Sequence, residues 1–79
     1  METKERTLND LSRWEREILF FNRGTAGGFY TRLVEAFHHA DSVNSIRLLN
    51  AFPDELGPWQ RYRLDKEYAQ ELNRIFSGS

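Results

Sequence analysis

Seventy-nine residues without a cysteine make one domain near the lower size limit for a self-supporting core, and they exclude a disulfide framework or a thiolate metal site. A net charge of −1 excludes a protein that holds nucleic acid by bulk positive charge alone. The aromatic share of 14% supplies the large side chains on which a small core depends.

The opening "METKERTLND" is polar and charged, unlike a signal or transit peptide. Residues 1–6 are expected to fray. No apolar run has the length needed to span a bilayer, so the expected location is cytoplasmic. A first helix is expected to start after Thr7 or Asn9, either of which can cap it. Leu11, Trp14, Ile18 and Phe21 then share a stripe flanked by Leu8 and Leu19. At about 100° per residue, Phe20 falls on the other side with Arg13, Arg16 and Glu17. Asn22 to Gly28 is a turn whose glycines can end the helix.

A second helix is expected from Gly28 or Phe29 to Ala40, burying Phe29, Leu33, Ala36, Phe37 and Ala40 with Tyr30 at the edge. Asp41 reads as the N-cap of a third helix, with Asn44 in a weak capping box. That helix runs to Phe52 and buries Ile46, Leu48, Leu49 and Phe52. Pro53 disfavours helical geometry at Phe52 and so marks a boundary. Residues 53–64 are expected to be an irregular connection: "PDEL" as one turn, a break at Gly57-Pro58, and a short turn in "PWQRYRL". Asp65 caps a last helix lined by Tyr68, Leu72, Ile75 and Phe76, and "SGS" frays.

"FYTRLVEAFHHADSVNSIRLLNAFPDE", residues 29–55, is similar to a pattern in small uncharacterised bacterial and prophage-type helical proteins. Phe29, Leu33, Ala36, Ala40, Asp41, Asn44, Leu48, Phe52, Pro53 and Glu55 carry the resemblance. It covers about a third of the chain and implies two helices joined at "HADSVN" and ended by "FP". It brings no activity with it. The Gly57-Pro58 break departs from the continuous charged stretch that the pattern implies.

The loop "GTAGG" invites comparison with a phosphate cradle, but Gly28-Phe29-Tyr30 stands where a P-loop has Gly-Lys-Ser/Thr. No strand precedes it as a dinucleotide fingerprint requires. Its expected role is a helix-to-helix turn. His38 and His39 point about 100° apart on a helix and cannot chelate one ion together. Glu35 and His39 have ion-pair spacing, and no third ligand lies nearby; no metal and no cofactor are expected. The carboxylates sit at helical-pair spacing from arginines, Arg13 with Glu17 and Glu71 with Arg74. No nucleophile elbow is visible, and a pocket would consume scarce core volume. An enzyme is not expected.

Arginine outnumbers lysine nine to two, which fits planar recognition of anions and stacking on rings, or equally a GC-rich coding bias. Two readings of Phe20 stand together: the Arg13 and Arg16 stems cover its ring, or all three form a contact patch. "PWQRYR" adds Trp59, Arg61, Tyr62 and Arg63, with Trp59 expected in the core and the arginines outside.

The sequence thus predicts a compact all-α bundle of about four helices in one domain, 1–79. Its expected function is a non-catalytic protein–protein interaction or regulatory module, a phage-type inhibitor of a host factor being one form of it. The expected contact residues are Arg13, Arg16, Phe20, Arg61, Tyr62 and Arg63. The alternative is a nucleic-acid-binding protein in which Arg61, Tyr62 and Arg63 hold phosphates and a base. A homodimer through the Phe20 side is a third possibility, and no membrane partner is expected.

Overall fold

The computed structural model describes residues 6–78. A 3-10 turn at Leu8–Asp10 precedes five α-helices: α1 (Arg13–Asn22), α2 (Gly28–His39), α3 (Ser42–Ala51), α4 (Pro53–Leu64) and α5 (Lys66–Ser77). The described residues contain no strand, so the all-α expectation holds, with one helix more than the expected four.

The additional helix is α4, continuous across the segment expected to be irregular. Pro53 opens it at the first helical position, where the missing N–H would lack an intrahelical partner anyway. Pro58 lies inside it and removes the bond that would have reached Asp54 O. The helix survives because the residue before Pro58 is Gly57. The usual clash of a proline ring with the preceding Cβ does not arise there, and the space around a Cβ at Gly57 is open. Tertiary packing supplies the rest. Leu56 and Trp59 are both buried, and α4 packs against α1, α3 and α5. It is the centre of the molecule.

The first helix also begins elsewhere than expected. Thr7 N–H donates to Asp10 Oδ2 at 2.8 Å and closes only the 3-10 turn. The chain then extends through Leu11, and Ser12 is the true N-cap. Its Oγ accepts from Glu15 N–H at 3.2 Å, while Glu15 Oε1 accepts from Ser12 N–H at 2.9 Å. This reciprocal capping box is written in the sequence as Ser-x-x-Glu.

At the other end of α1, Gly24 has φ +76°. Thr25 N–H reaches Phe20 O at 2.8 Å and Gly24 N–H reaches Phe21 O at 3.0 Å. These paired bonds around a left-handed glycine are a Schellman cap. "GTAGG" therefore ends a helix, and the N–H groups of Gly24 and Thr25 are spent on α1.

The buried face of α2 is rotated from the expected one. Tyr30 and Val34 are fully enclosed beside Leu33 and Phe37, whereas Phe29 and Ala36 face outward. Tyr30 stacks on Trp14 with ring centroids 5.9 Å apart and meets the edge of Phe21 at 6.3 Å. These contacts draw the start of α2 onto α1. Asp41 Oδ1 caps α3 by accepting from Asn44 N–H at 2.8 Å, and Asp65 Oδ1 caps α5 by accepting from Tyr68 N–H at 3.1 Å. Tyr68, Leu72 and Phe76 of α5 are buried, with Ile75 half-buried beside them.

A buried carboxylate joins the two ends of the chain. Glu15 accepts from Tyr68 Oη on α5 and forms a 2.7 Å ion pair with Arg6, which also reaches Glu71 at 3.3 Å. Arg6 is thus anchored, although it lies in the segment expected to fray; residues 1–5 and 79 of the expected frayed ends lie outside the described residues. Burial pushes the Glu15 carboxyl up, but hydrogen bonds from Tyr68, Ser12 N–H and Arg6 more than offset this and hold it below the ordinary range. The Tyr68 phenol is raised by burial and by its bond to that carboxylate.

Candidate interaction surface

α3 has apolar residues on all sides, yet none of its residues is fully buried. Leu48, Leu49 and Phe52 turn inward and are half-buried. Val43 and Ile46, one turn apart, are 61% and 59% exposed. Ile46 was expected in the core. The periodicity suits its burial, but α3 packs mainly along α2 and α4, and its inward stripe of Leu48 and Leu49 meets them.

Beside this ridge lies an open groove of about 570 Å³, lined by Leu49, Asn50, Pro53, Gly57, Gln60, Arg61, Leu64 and Asp65. Pro53, Gly57, Gln60 and Leu64 occupy one side of α4 at helical spacing. Gly57 leaves its floor low, and Leu64 is 74% exposed. Arg61 Nε pairs with Asp65 Oδ2 at 3.5 Å across the rim. The Asp65 carboxyl is lowered mainly by the Tyr68 N–H that it caps. The groove's own charges are thereby matched to each other.

The molecule is elongated and flattened. Its Cα atoms extend 44 × 27 × 17 Å with a radius of gyration of 13.3 Å, above the roughly 12 Å of a typical globule of this length.

The six residues singled out from the sequence do not share one contact network. Phe20 is 39% exposed on α1. Arg13 lies over the Trp14 ring, 4.6 Å from its centroid, rather than with Glu17. Arg16 donates to Leu8 O at 3.3 Å and to Asn9 O at 3.1 Å, clamping the 3-10 turn onto α1. Neither arginine is placed on Phe20 by these bonds. Arg61 lies over the Tyr68 ring at 4.1 Å as well as pairing with Asp65. Tyr62 is half-buried, its hydroxyl accepting from Asn22 Nδ2 at 3.2 Å and donating to Asn73 Oδ1 at 2.7 Å. Arg63 is exposed.

Two other expected pairs give way to different partners. Glu71 meets Arg6 instead of Arg74, and Glu17 Oε2 accepts from Gly27 N–H at 3.4 Å. Glu35 and His39 form no ion pair among the described residues. Trp59 Nε1 donates to His38 Nε2 at 3.2 Å. Trp59 also meets the edge of Phe21 at 5.2 Å and stacks with Tyr62 at 6.0 Å. Among the described residues, no group of three or more His, Asp or Glu side chains converges as a metal site. No helix there is long and apolar enough to cross a membrane.

The exposed apolar residues that sequence reasoning missed are Val43, Ile46 and Leu64, with Phe29 (57% exposed) edge-on to Phe52 at 5.9 Å. Leu64 lay in the segment expected to be irregular, so helical spacing was not applied to it. Val43 and Ile46 carried no signal, because an apolar pair on a helix reads as core until its neighbours are known. No protein-family model, curated protein or solved structure matches this chain.

Proposed function

We propose that this protein is a non-catalytic protein-binding module that receives an amphipathic helix of another protein along the α3 ridge and the adjoining groove. The observation that carries this reading is α3 itself, a helix with no buried residue that turns Val43 and Ile46 to solvent. Contiguous exposed apolar surface rimmed by polar groups is characteristic of interaction sites. A helix bound in a groove presents anchors at i, i+3 or i+4 and i+7, and Leu49, Gly57 and Leu64 offer an apolar bed of that kind. Because Arg61 and Asp65 satisfy each other, the partner needs apolar anchors with uncharged polar flanks rather than a strongly charged edge. Inhibition of a host factor is one form of such docking.

The nucleic-acid reading has less support. Arg61 is committed to Tyr68 and Asp65, and the Tyr62 hydroxyl to Asn22 and Asn73. Among the described residues, Arg63 alone of that trio has no side-chain hydrogen bond, ion pair or ring contact, too little for a phosphate track with a stacking base.

The test is capture from the native host with the wild type and with Val43→Glu/Ile46→Glu, both verified as folded by circular dichroism. The reading expects a protein that the wild type retains at high salt and the double variant loses, and whose docking segment is helical. Equal retention by both, or binding that collapses as salt rises in the manner of phosphate contacts, contradicts it. Light scattering of the isolated chain separates self-association: a dimer abolished by the same double variant assigns the face to a second copy instead.

A further inference from the structure

We propose that His38 and Trp59 form an acid-released latch between α2 and α4. The inference stands apart from the docking reading, since it concerns how two helices are tied rather than what the surface binds.

The 3.2 Å bond from Trp59 Nε1 to His38 Nε2 is the one side-chain hydrogen bond from α2 to α4 among the described residues. The indole nitrogen can only donate, so His38 Nε2 must be the unprotonated nitrogen and the ring proton must sit on Nδ1. The rings lie 5.6 Å apart at 31°, with Phe21 and Tyr62 packed on Trp59 from α1 and α4. Trp59 is held in place by these neighbours, whereas His38 sits at the exposed end of α2. Protonation of His38 therefore sets two N–H donors against each other, and the histidine is the member free to leave.

The charged groups that face His38 act in the same direction. Burial, Arg63 on α4 and His39 on α2 together hold its imidazole below the ordinary range. A released imidazolium has somewhere to go. It lies in the last turn of α2, where the helix's unsatisfied carbonyls favour a cation. The latch thus has two states, one with His38 bonded to the indole and one with its imidazolium turned to solvent at the end of α2. Opening affects the end of α2 and the Ala40-Asp41 corner from which α3 starts.

Two measurements test this. In Trp14→Phe, Trp59 is the only indole, and its emission is followed from about pH 8 to about pH 5 while far-ultraviolet dichroism verifies the helices. In the unsubstituted protein, the Trp59 indole N–H resonance is followed over the same range. The latch predicts one step in both signals, centred below about pH 6.5. It also predicts a roughly threefold to tenfold faster amide exchange in the last turn of α2 below that step, after correction for intrinsic rates. His38→Gln, whose side-chain oxygen still accepts from the indole, removes the step; His39→Gln retains it. A pH-independent indole resonance, or a step that persists in His38→Gln, overturns the proposal.

Discussion

The hydroxyl of Tyr68 donates to the buried carboxylate of Glu15 across 53 residues of sequence. That one contact fastens the start of α1 to α5, and Arg6 extends it by pairing with Glu15 at 2.7 Å and Glu71 at 3.3 Å. Glu15 is thus cap, ion-pair partner and hydrogen-bond acceptor at once. Removing it orphans Tyr68 Oη and the Ser12 N–H together. Glu15→Ala is expected to lower unfolding stability by about 3 kcal/mol, and Tyr68→Phe by about 1–2 kcal/mol. Urea unfolding of the two single variants and the double variant measures the coupling. Losses that simply add, with no coupling between the sites, contradict a shared network.

The same network sets the response to acid. The folded Glu15 carboxyl titrates below its ordinary range, so the unfolded chain binds more protons between the two values and stability rises with pH there. The contribution is fully present above about pH 4.5 and is lost as pH falls through the lower, folded value. At the alkaline end the sign reverses. Tyr30 and Tyr68 are raised, Tyr30 chiefly by burial and Tyr68 by burial and the Glu15 carboxylate. Their contribution is therefore complete below about pH 10 and lost as pH rises toward the folded values. Glu15→Gln should flatten the acid limb and Tyr68→Phe should reduce the alkaline one, as read from urea midpoints against pH. Unchanged limbs in both variants would count against these assignments.

The glycines should separate by conformation rather than by number. Gly24, at φ +76° in the α1 cap, should lose about 1 kcal/mol on replacement by alanine, because a Cβ disfavours the left-handed region. Gly27 has an ordinary φ of −59°, and a Cβ there meets only Glu17 Oε2 at 3.8 Å. Gly27→Ala should change stability by less than about 0.5 kcal/mol. Thermal melts of the two variants check the contrast, and an equal loss in both contradicts the cap assignment.

Proline inside α4 carries a further stability prediction. Pro58→Ala restores the N–H that can reach Asp54 O and relieves the ring's crowding of that turn. A gain of about 1–2 kcal/mol is expected after allowing for the freer unfolded chain. A loss would mean that the packing of the half-buried ring outweighs the missing bond.

The residues that made the fold legible are those acting over one turn. Asp41 and Asp65 cap the helices that follow them as a short polar side chain before an apolar-periodic run should. Tyr68, Leu72 and Phe76 are spaced for one face and bury together. Local rules misplaced what distant contacts decide. Gly57-Pro58 reads as a break because propensity weighs each residue alone, whereas Leu56 and Trp59 on either side are drawn into the core and keep the helix whole. Ile46 reads as buried because its periodicity says nothing about whether a neighbour covers it. Ser12 and Glu15 form the one local signal passed over, for the nearer caps Thr7 and Asn9 competed with it. The arginines failed differently: Arg13, Arg16 and Arg61 were legible as outward residues, but the ring, carbonyls and carboxylate that engage them include groups brought close only by folding.

Docking of another protein on α3 and its groove leaves a footprint on the backbone. Backbone amide shifts of the isotope-labelled chain, recorded while the captured partner is added, read that footprint residue by residue. The predicted result is a contiguous set of shifts at Val43, Ile46, Leu49, Gly57 and Leu64, with Phe20 and Arg13 unmoved. Shifts centred on Phe20 with the α3 residues unmoved would contradict it.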